Sequence, residues 1–202
     1  MPTEPELRDS FRISVATAAW TILAGVAAVV LGIRDHTAVA VALGAVGFVD
    51  ALGSIALAVH FRHALRHETF SRRREVLAHV AVSFGLMTVG LAGVVGGSFR
   101  LAASAHAEPS TAVLAVAGAS LVVLTLLGRR KRALGARVGS RTLIADGNLS
   151  AIGALQAAVA LVGVGVTEWF DAGSADAWAT IAIGVLAVGV GAATWRAEPT
   201  VD

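Results

Sequence analysis

Two acidic residues stand inside long apolar runs of this sequence: Asp50, in Gly47-Phe48-Val49-Asp50-Ala51-Leu52-Gly53-Ser54, and Asp146, in Ile144-Ala145-Asp146-Gly147-Asn148-Leu149-Ser150. A charge at the centre of a membrane helix costs about 2.5–3.5 kcal/mol on insertion scales, so such a residue is expected to have a partner or a task. Each Asp is followed four residues later by a serine, Ser54 and Ser150, and helical spacing sets each pair on one face. Gly153 shares the face of Asp146 and Ser150. Asn148 points elsewhere unless Gly147 loosens the helix, and Gln156 lies roughly 80° off that face at 3.6 residues per turn. Two carboxyl groups facing each other across a bundle can bind a cation. Desolvation favours the neutral acid, so such a group can give up its proton when a cation arrives. Asp50 and Asp146, supported by Ser54, Asn148 and Ser150, are therefore the expected cation site. The plainer readings are that each Asp is protonated and bonds a neighbouring helix, or that Asp146 pairs with Arg141 or Arg137.

His60, His63 and His67 are spaced so that two of them can share a metal ion, although beside so many arginines solvated interfacial histidines are the simpler expectation. His79, one turn into the third span, is a candidate partner for a buried Asp or a packing histidine. No cysteine is present, which excludes thiolate metal sites, disulfides and Cys nucleophiles. No histidine–carboxylate motif of known spacing is present either, so no enzymatic activity is expected.

Residues with these roles need elements that hold them inside a bilayer, and the composition supplies those. Of 202 residues, 56% are hydrophobic and 15% charged, and the mean hydropathy is +0.75. Soluble domains carry about 25% charged residues. Six stretches approach or exceed the roughly 20 apolar residues that cross a 30 Å hydrocarbon core: 13–33, 38–61, 76–98, 111–128, 142–167 and 177–195. They are continuously apolar without two-residue alternation, which argues against a β-barrel. The expected fold is an all-α, polytopic membrane protein of six transmembrane helices, with residues 1–12 and 196–202 flanking a transmembrane domain at 13–195. An acidic stretch before the first span and the length of its apolar run set it apart from a signal peptide. The chain holds 22 glycines. Gly93 and Gly97 form a GxxxG pair, and Gly184, Gly189 and Gly191 stud the sixth span, which suits close helix packing within a bundle or across a dimer.

Fourteen of the sixteen basic residues fall on one side of these spans; Arg34 and Arg100 alone fall on the other. The positive-inside rule then puts both termini and the two basic loops in the cytoplasm, in the cell membrane of a prokaryotic chain. It also explains the sequence pI near 10.3 at a net charge of only +2. Arginines beside span ends attract anionic lipid headgroups. No aromatic interleaving accompanies them, so nucleic acid is not an expected partner.

Six spans with inside termini, the Phe48-Val49-Asp50-Ala51-Leu52-Gly53-Ser54 motif and the opening Ser140-Arg141-Thr142-Leu143-Ile144-Ala145-Asp146-Gly147 of the fifth span resemble the cation diffusion facilitator family. The likeness runs from Arg12 to Arg196 and is closest to a divergent branch that lacks the cytoplasmic C-terminal domain. It implies a cation-efflux-like bundle acting as a homodimer, with zinc or a related divalent ion as cargo exchanged for protons and no resident cofactor. In the family, spans two and five each supply a ligand pair. Asp50 matches the second ligand of span two, Val46 stands at the first, and Leu149 and Gly153 stand at the two positions of span five. Asp146 matches the acidic residue that precedes the span-five pair. An oxygen-rich site of Asp50 with Asp146, Ser54, Asn148 or Ser150 suits harder ions than zinc. The alternative is a membrane scaffold or accessory protein that kept the fold and lost the site.

Overall fold

The structure is a computed structural model that describes residues 4–66, 72–104, 110–170, 172 and 174–196, with the backbone alone at 72–75 and 78. In a bilayer every backbone N–H and C=O must be satisfied within its own segment or a closed sheet, so continuous apolar runs fold as helices. Six follow one another: α1 (Glu4–Arg34), α2 (Ala38–Leu65), α3 (Arg72–Ala102), α4 (Thr111–Val138), α5 (Arg141–Phe170) and α6 (Ser174–Arg196). Each is long and apolar enough to cross a membrane, and no strand occurs among the described residues. The chain is an all-α polytopic bundle, as expected. Every span read from the sequence lies inside one of these helices, and the helices overrun the spans. At 1.5 Å per residue the 31-residue α1 is about 46 Å long, so its charged end projects beyond a 30 Å core.

The helices pack chiefly as three pairs: the sequential hairpins α1–α2 and α4–α5, and the non-sequential pair α3–α6. Each pair is drawn together where two glycines face each other. A Cβ added at Gly44 of α2 would lie 2.6 Å from the carbonyl oxygen of Gly25 in α1. Gly90 of α3 and Gly184 of α6 stand in the same relation at 2.6 Å in both directions, and Gly128 of α4 and Gly147 of α5 at 2.9 and 3.0 Å. Real Cβ atoms do not come this close to backbone, so only glycine permits these crossings. The Gly93/Gly97 motif serves the same pair as Gly90: Gly93 faces Gly184, and Gly97 abuts the Ala177 carbonyl. It therefore packs α3 on α6 within one chain.

α2 is the central element, touching α1, α3, α5 and α6. The main apolar core gathers Val39, Val46 and Val49 of α2 with Leu86, Val113, Val164 and Ile183. A second cluster, Leu57, Phe61 and Leu143 with Leu7, Phe11 and Leu134 against them, closes the end of the bundle where α2 ends and α5 begins. The buried side of α1 is a row of hydroxyls, Ser10, Ser14, Thr17 and Thr21, each bonded to a carbonyl one turn back.

α4 departs most from the sequence expectation. Ser110 caps its first turn by accepting from the Val113 N–H at 3.3 Å. Its far end comes at Val138, where Gly139 takes φ +70°, the left-handed conformation of a helix C-terminal stop. That end lies ten residues past Gly128, where the apolar span stops. The reason is visible in its buried positions, Val113, Ala117, Ser120, Leu124, Gly128, Lys131 and Gly135. They recur every three or four residues without a break across the basic segment, while Arg129, Arg130 and Arg132 between them are exposed.

Candidate functional site

α2, α4 and α5 meet around the side chain of Lys131, which has no exposed surface. Its Nζ donates to Asp146 Oδ2 at 2.5 Å, to Ser54 Oγ at 3.1 Å and to Ser150 Oγ at 3.3 Å. The Ser54 hydroxyl lies 3.3 and 3.4 Å from the two Asp146 carboxyl oxygens. The Ser150 hydroxyl donates to the Asp146 carbonyl at 3.1 Å. Three acceptors around one amine nitrogen match the three donors of an ammonium, and a neutral amine has only two. The network is therefore that of a charged lysine paired with a carboxylate, and both serines satisfy and are satisfied by it.

One turn further along α2, Asp50 is 5% exposed, and neither of its carboxyl oxygens has a hydrogen-bond partner among the described residues. The charges of Asp146 and Lys131 both act on it. Asp50 lines a cavity of about 40 Å³ to which all six helices contribute, with Trp20, Thr21, Ser120, Gly153 and Gln156 among its other walls. A cavity needs about 10–15 Å³ per water, so this one has room for about three or four waters or a small ion, whereas pockets for drug-sized molecules run to about 300 Å³ or more. The Trp20 indole N–H is also buried without a partner among the described residues. Asp50 is the only ionisable side chain among the described residues that line the space.

The sequence pairs Asp50–Ser54 and Asp146–Ser150 thus meet at one place in the bundle. Ser54 bonds Asp146, and Lys131 bridges Ser54, Asp146 and Ser150. Asn148, expected as a supporting ligand, is on the exposed face of α5, because Gly147 leaves the helix regular. The partner of Asp146 is neither Arg137 nor Arg141, both exposed, but Lys131. Among the described residues no three His, Asp or Glu converge as metal ligands. His63 Nδ1 lies 2.8 Å from its own helix at the Val59 carbonyl, and His60 stacks edge-on against Phe61. His67 lies outside the described residues. His79 is half-buried, and its Nε2 has no partner among them, so it does not serve a buried Asp.

Lys131 is the residue that sequence reasoning missed, since it reads as one of six basic residues flanking span four. The signal was its place on the buried stripe of α4. A second group at the opposite end of the bundle holds helix ends together. Asp176, fully buried in the first turn of α6, accepts from the Ala38 and Val39 N–H groups of α2 at 3.1 Å each, and Arg100 Nε lies 3.4 Å from it. Asp35 accepts from Ser110 Oγ at 2.5 Å and from Arg34 at 2.8 Å. The Ser110 hydrogen bond, aided by Arg34, holds its carboxyl below the usual range against a smaller opposing effect of burial. These acids tie the starts of α2, α4 and α6 to the ends of α1 and α3 and leave the inner cavity to Asp50.

Fold and site together define a polytopic membrane protein with a buried lysine–carboxylate network beside a small cavity. No protein-family model matches the sequence, and no curated protein matches it.

Proposed function

We propose that this chain is a proton-coupled cation carrier of the cation-efflux type, with Asp50 as the group that exchanges a proton for the ion. The observation that carries this reading is an unpartnered carboxyl, buried in the middle of a membrane helix, that lines a cavity large enough for a small ion. Burying a carboxyl without a hydrogen bond destabilises the fold, so the arrangement fits a group whose partner comes and goes. Of the two sequence motifs that resemble cation efflux proteins, the one around Asp50 lines this cavity and the one around Asp146 supplies the neighbouring Lys131 network. That resemblance makes a zinc-like divalent ion the first cargo to test, and a homodimer in the cell membrane with cytoplasmic termini the assembly.

A specific observation favours the second reading, a scaffold or accessory protein. Asp146, the other expected ligand, is already neutralised by Lys131 at 2.5 Å. Flux in proteoliposomes under an imposed pH gradient separates the two. The carrier reading expects ion uptake coupled to proton movement that vanishes in Asp50→Asn. Folded wild-type protein that moves none of Zn²⁺, Mn²⁺, Na⁺ or K⁺ leaves the scaffold reading standing.

A further inference from the structure

The site has a built-in cation. Lys131 reaches it from α4, has all three ammonium donors taken by Asp146, Ser54 and Ser150, and is shut off from solvent. One turn away on α2, Asp50 faces a cavity whose walls on α1, α3, α4, α5 and α6 offer no other ionisable group among the described residues. The charges that bear on the cavity are those of Asp50, Asp146 and Lys131. With both carboxyls ionised they sum to a single negative charge. Resting on the proton-coupled carrier reading above, and replacing its divalent cargo, we infer that Lys131 sets the charge selectivity of the site, which accepts one positive charge at a time: a proton exchanging with an alkali-metal cation. A divalent ion at Asp50 would leave an uncompensated positive charge in a low-dielectric space, beside a lysine that repels it. The volume of about 40 Å³ agrees, since it suits a bare or singly hydrated ion and not an organic cation.

Lys131 is thus a specificity-determining residue that acts through the field at Asp50, and it occupies by covalent tether the place where a second cargo charge would bind. Replacing it with a neutral side chain should turn a site of charge −1 into one of −2 that prefers divalent ions.

The test uses the full-length protein. Na⁺, K⁺ and Mn²⁺ fluxes are measured in proteoliposomes under a pH gradient, and Mn²⁺ binding is measured by electron paramagnetic resonance, for wild type, Asp50→Asn, Lys131→Gln and Lys131→Arg. Wild type is expected to move Na⁺ or K⁺ in an Asp50-dependent way and to hold Mn²⁺ weakly or not at all. Lys131→Gln should bind Mn²⁺ on the order of 500-fold more tightly, as removal of a unit charge implies at an effective dielectric near 20 if it stands roughly 9 Å from the divalent ion. Lys131→Arg, which keeps the charge, should stay like wild type. Mn²⁺ moved or tightly bound by wild type and lost in Asp50→Asn overturns the inference while leaving the carrier reading intact, and this comparison decides even if Lys131→Gln does not fold. Folded Lys131→Gln with no gain in Mn²⁺ affinity overturns it too. Absence of Asp50-dependent flux for every ion overturns the carrier reading instead, and the Mn²⁺ binding comparison then still decides whether Lys131 sets the charge of the site.

Discussion

Removing the Lys131 ammonium should be among the most damaging single changes in the bundle. Lys131→Met keeps most of the stem volume and deletes three hydrogen bonds, at 2.5, 3.1 and 3.3 Å. It leaves the Asp146 carboxylate, 8% exposed, with only the Ser54 hydroxyl for side-chain support. Breaking a buried ion pair by removing one partner costs about 3–5 kcal/mol, because the remaining charge is uncompensated. An exposed pair of the same geometry contributes about 0–1 kcal/mol. Lys131 at 0% exposure belongs to the first class. Removing both charges, in Lys131→Met/Asp146→Leu, should restore most of the loss, since hydrophobic replacement of a whole buried pair is often neutral or stabilising. Asp50→Leu is the contrasting control: its carboxyl has no partner to lose, so this change should stabilise by about 1–3 kcal/mol, the desolvation cost of an unsatisfied buried group. Reversible unfolding of the purified protein in mixed micelles, titrated with a denaturing detergent, measures four variants: Lys131→Met, Asp146→Leu, the double change and Asp50→Leu. The reasoning is refuted if Lys131→Met lies within 1 kcal/mol of wild type, or if the double variant is as unstable as the two single changes summed.

Two further predictions concern packing and the outer connections. Gly184→Val should destabilise by about 1–3 kcal/mol or more, because its Cβ would meet the Gly90 carbonyl at 2.6 Å and backbone cannot rotate away; Gly96→Ala, with nothing within 4 Å, should be neutral or gain up to about 1 kcal/mol of helix propensity. Thermal melts of the two variants in one detergent check the ordering, and equal melting temperatures would contradict it. Asp35 has its folded-state pKa below its unfolded one, so its contribution is fully present above the ordinary aspartate value of about 4 and is lost as pH falls through the lower folded value. Ser110→Ala removes the largest cause of that shift, and the Asp35 carboxyl should then titrate closer to the ordinary value, as followed by carboxyl infrared bands against Asp35→Asn; an unchanged titration would mean that the hydrogen bond at 2.5 Å does not hold the charged form.

Much of this protein follows from short-range chemistry that a sequence carries openly. Six apolar runs of bilayer length leave the backbone no alternative to helices, so the fold class and the place of Asp50 and Asp146 within spans are legible from composition and spacing alone. The same spacing puts Ser54 one turn from Asp50 and Ser150 one turn from Asp146, and turns Asn148 away from them. What the spacing within each run does not contain is which face meets which. Glycine pairs 25/44, 90/184 and 128/147 choose the neighbours, and each choice depends on two backbones approaching from distant parts of the chain. The fate of Lys131 depends on that pairing. In sequence it is one basic residue among five arginines and reads as a solvated, orienting charge; only when α4 is pressed onto α5 by Gly128 and Gly147 does its side chain lie opposite Asp146 rather than in water. An isolated helix leaves both ends of that choice open, because the energy of a buried ion pair exists only after both partners have been taken out of solvent together.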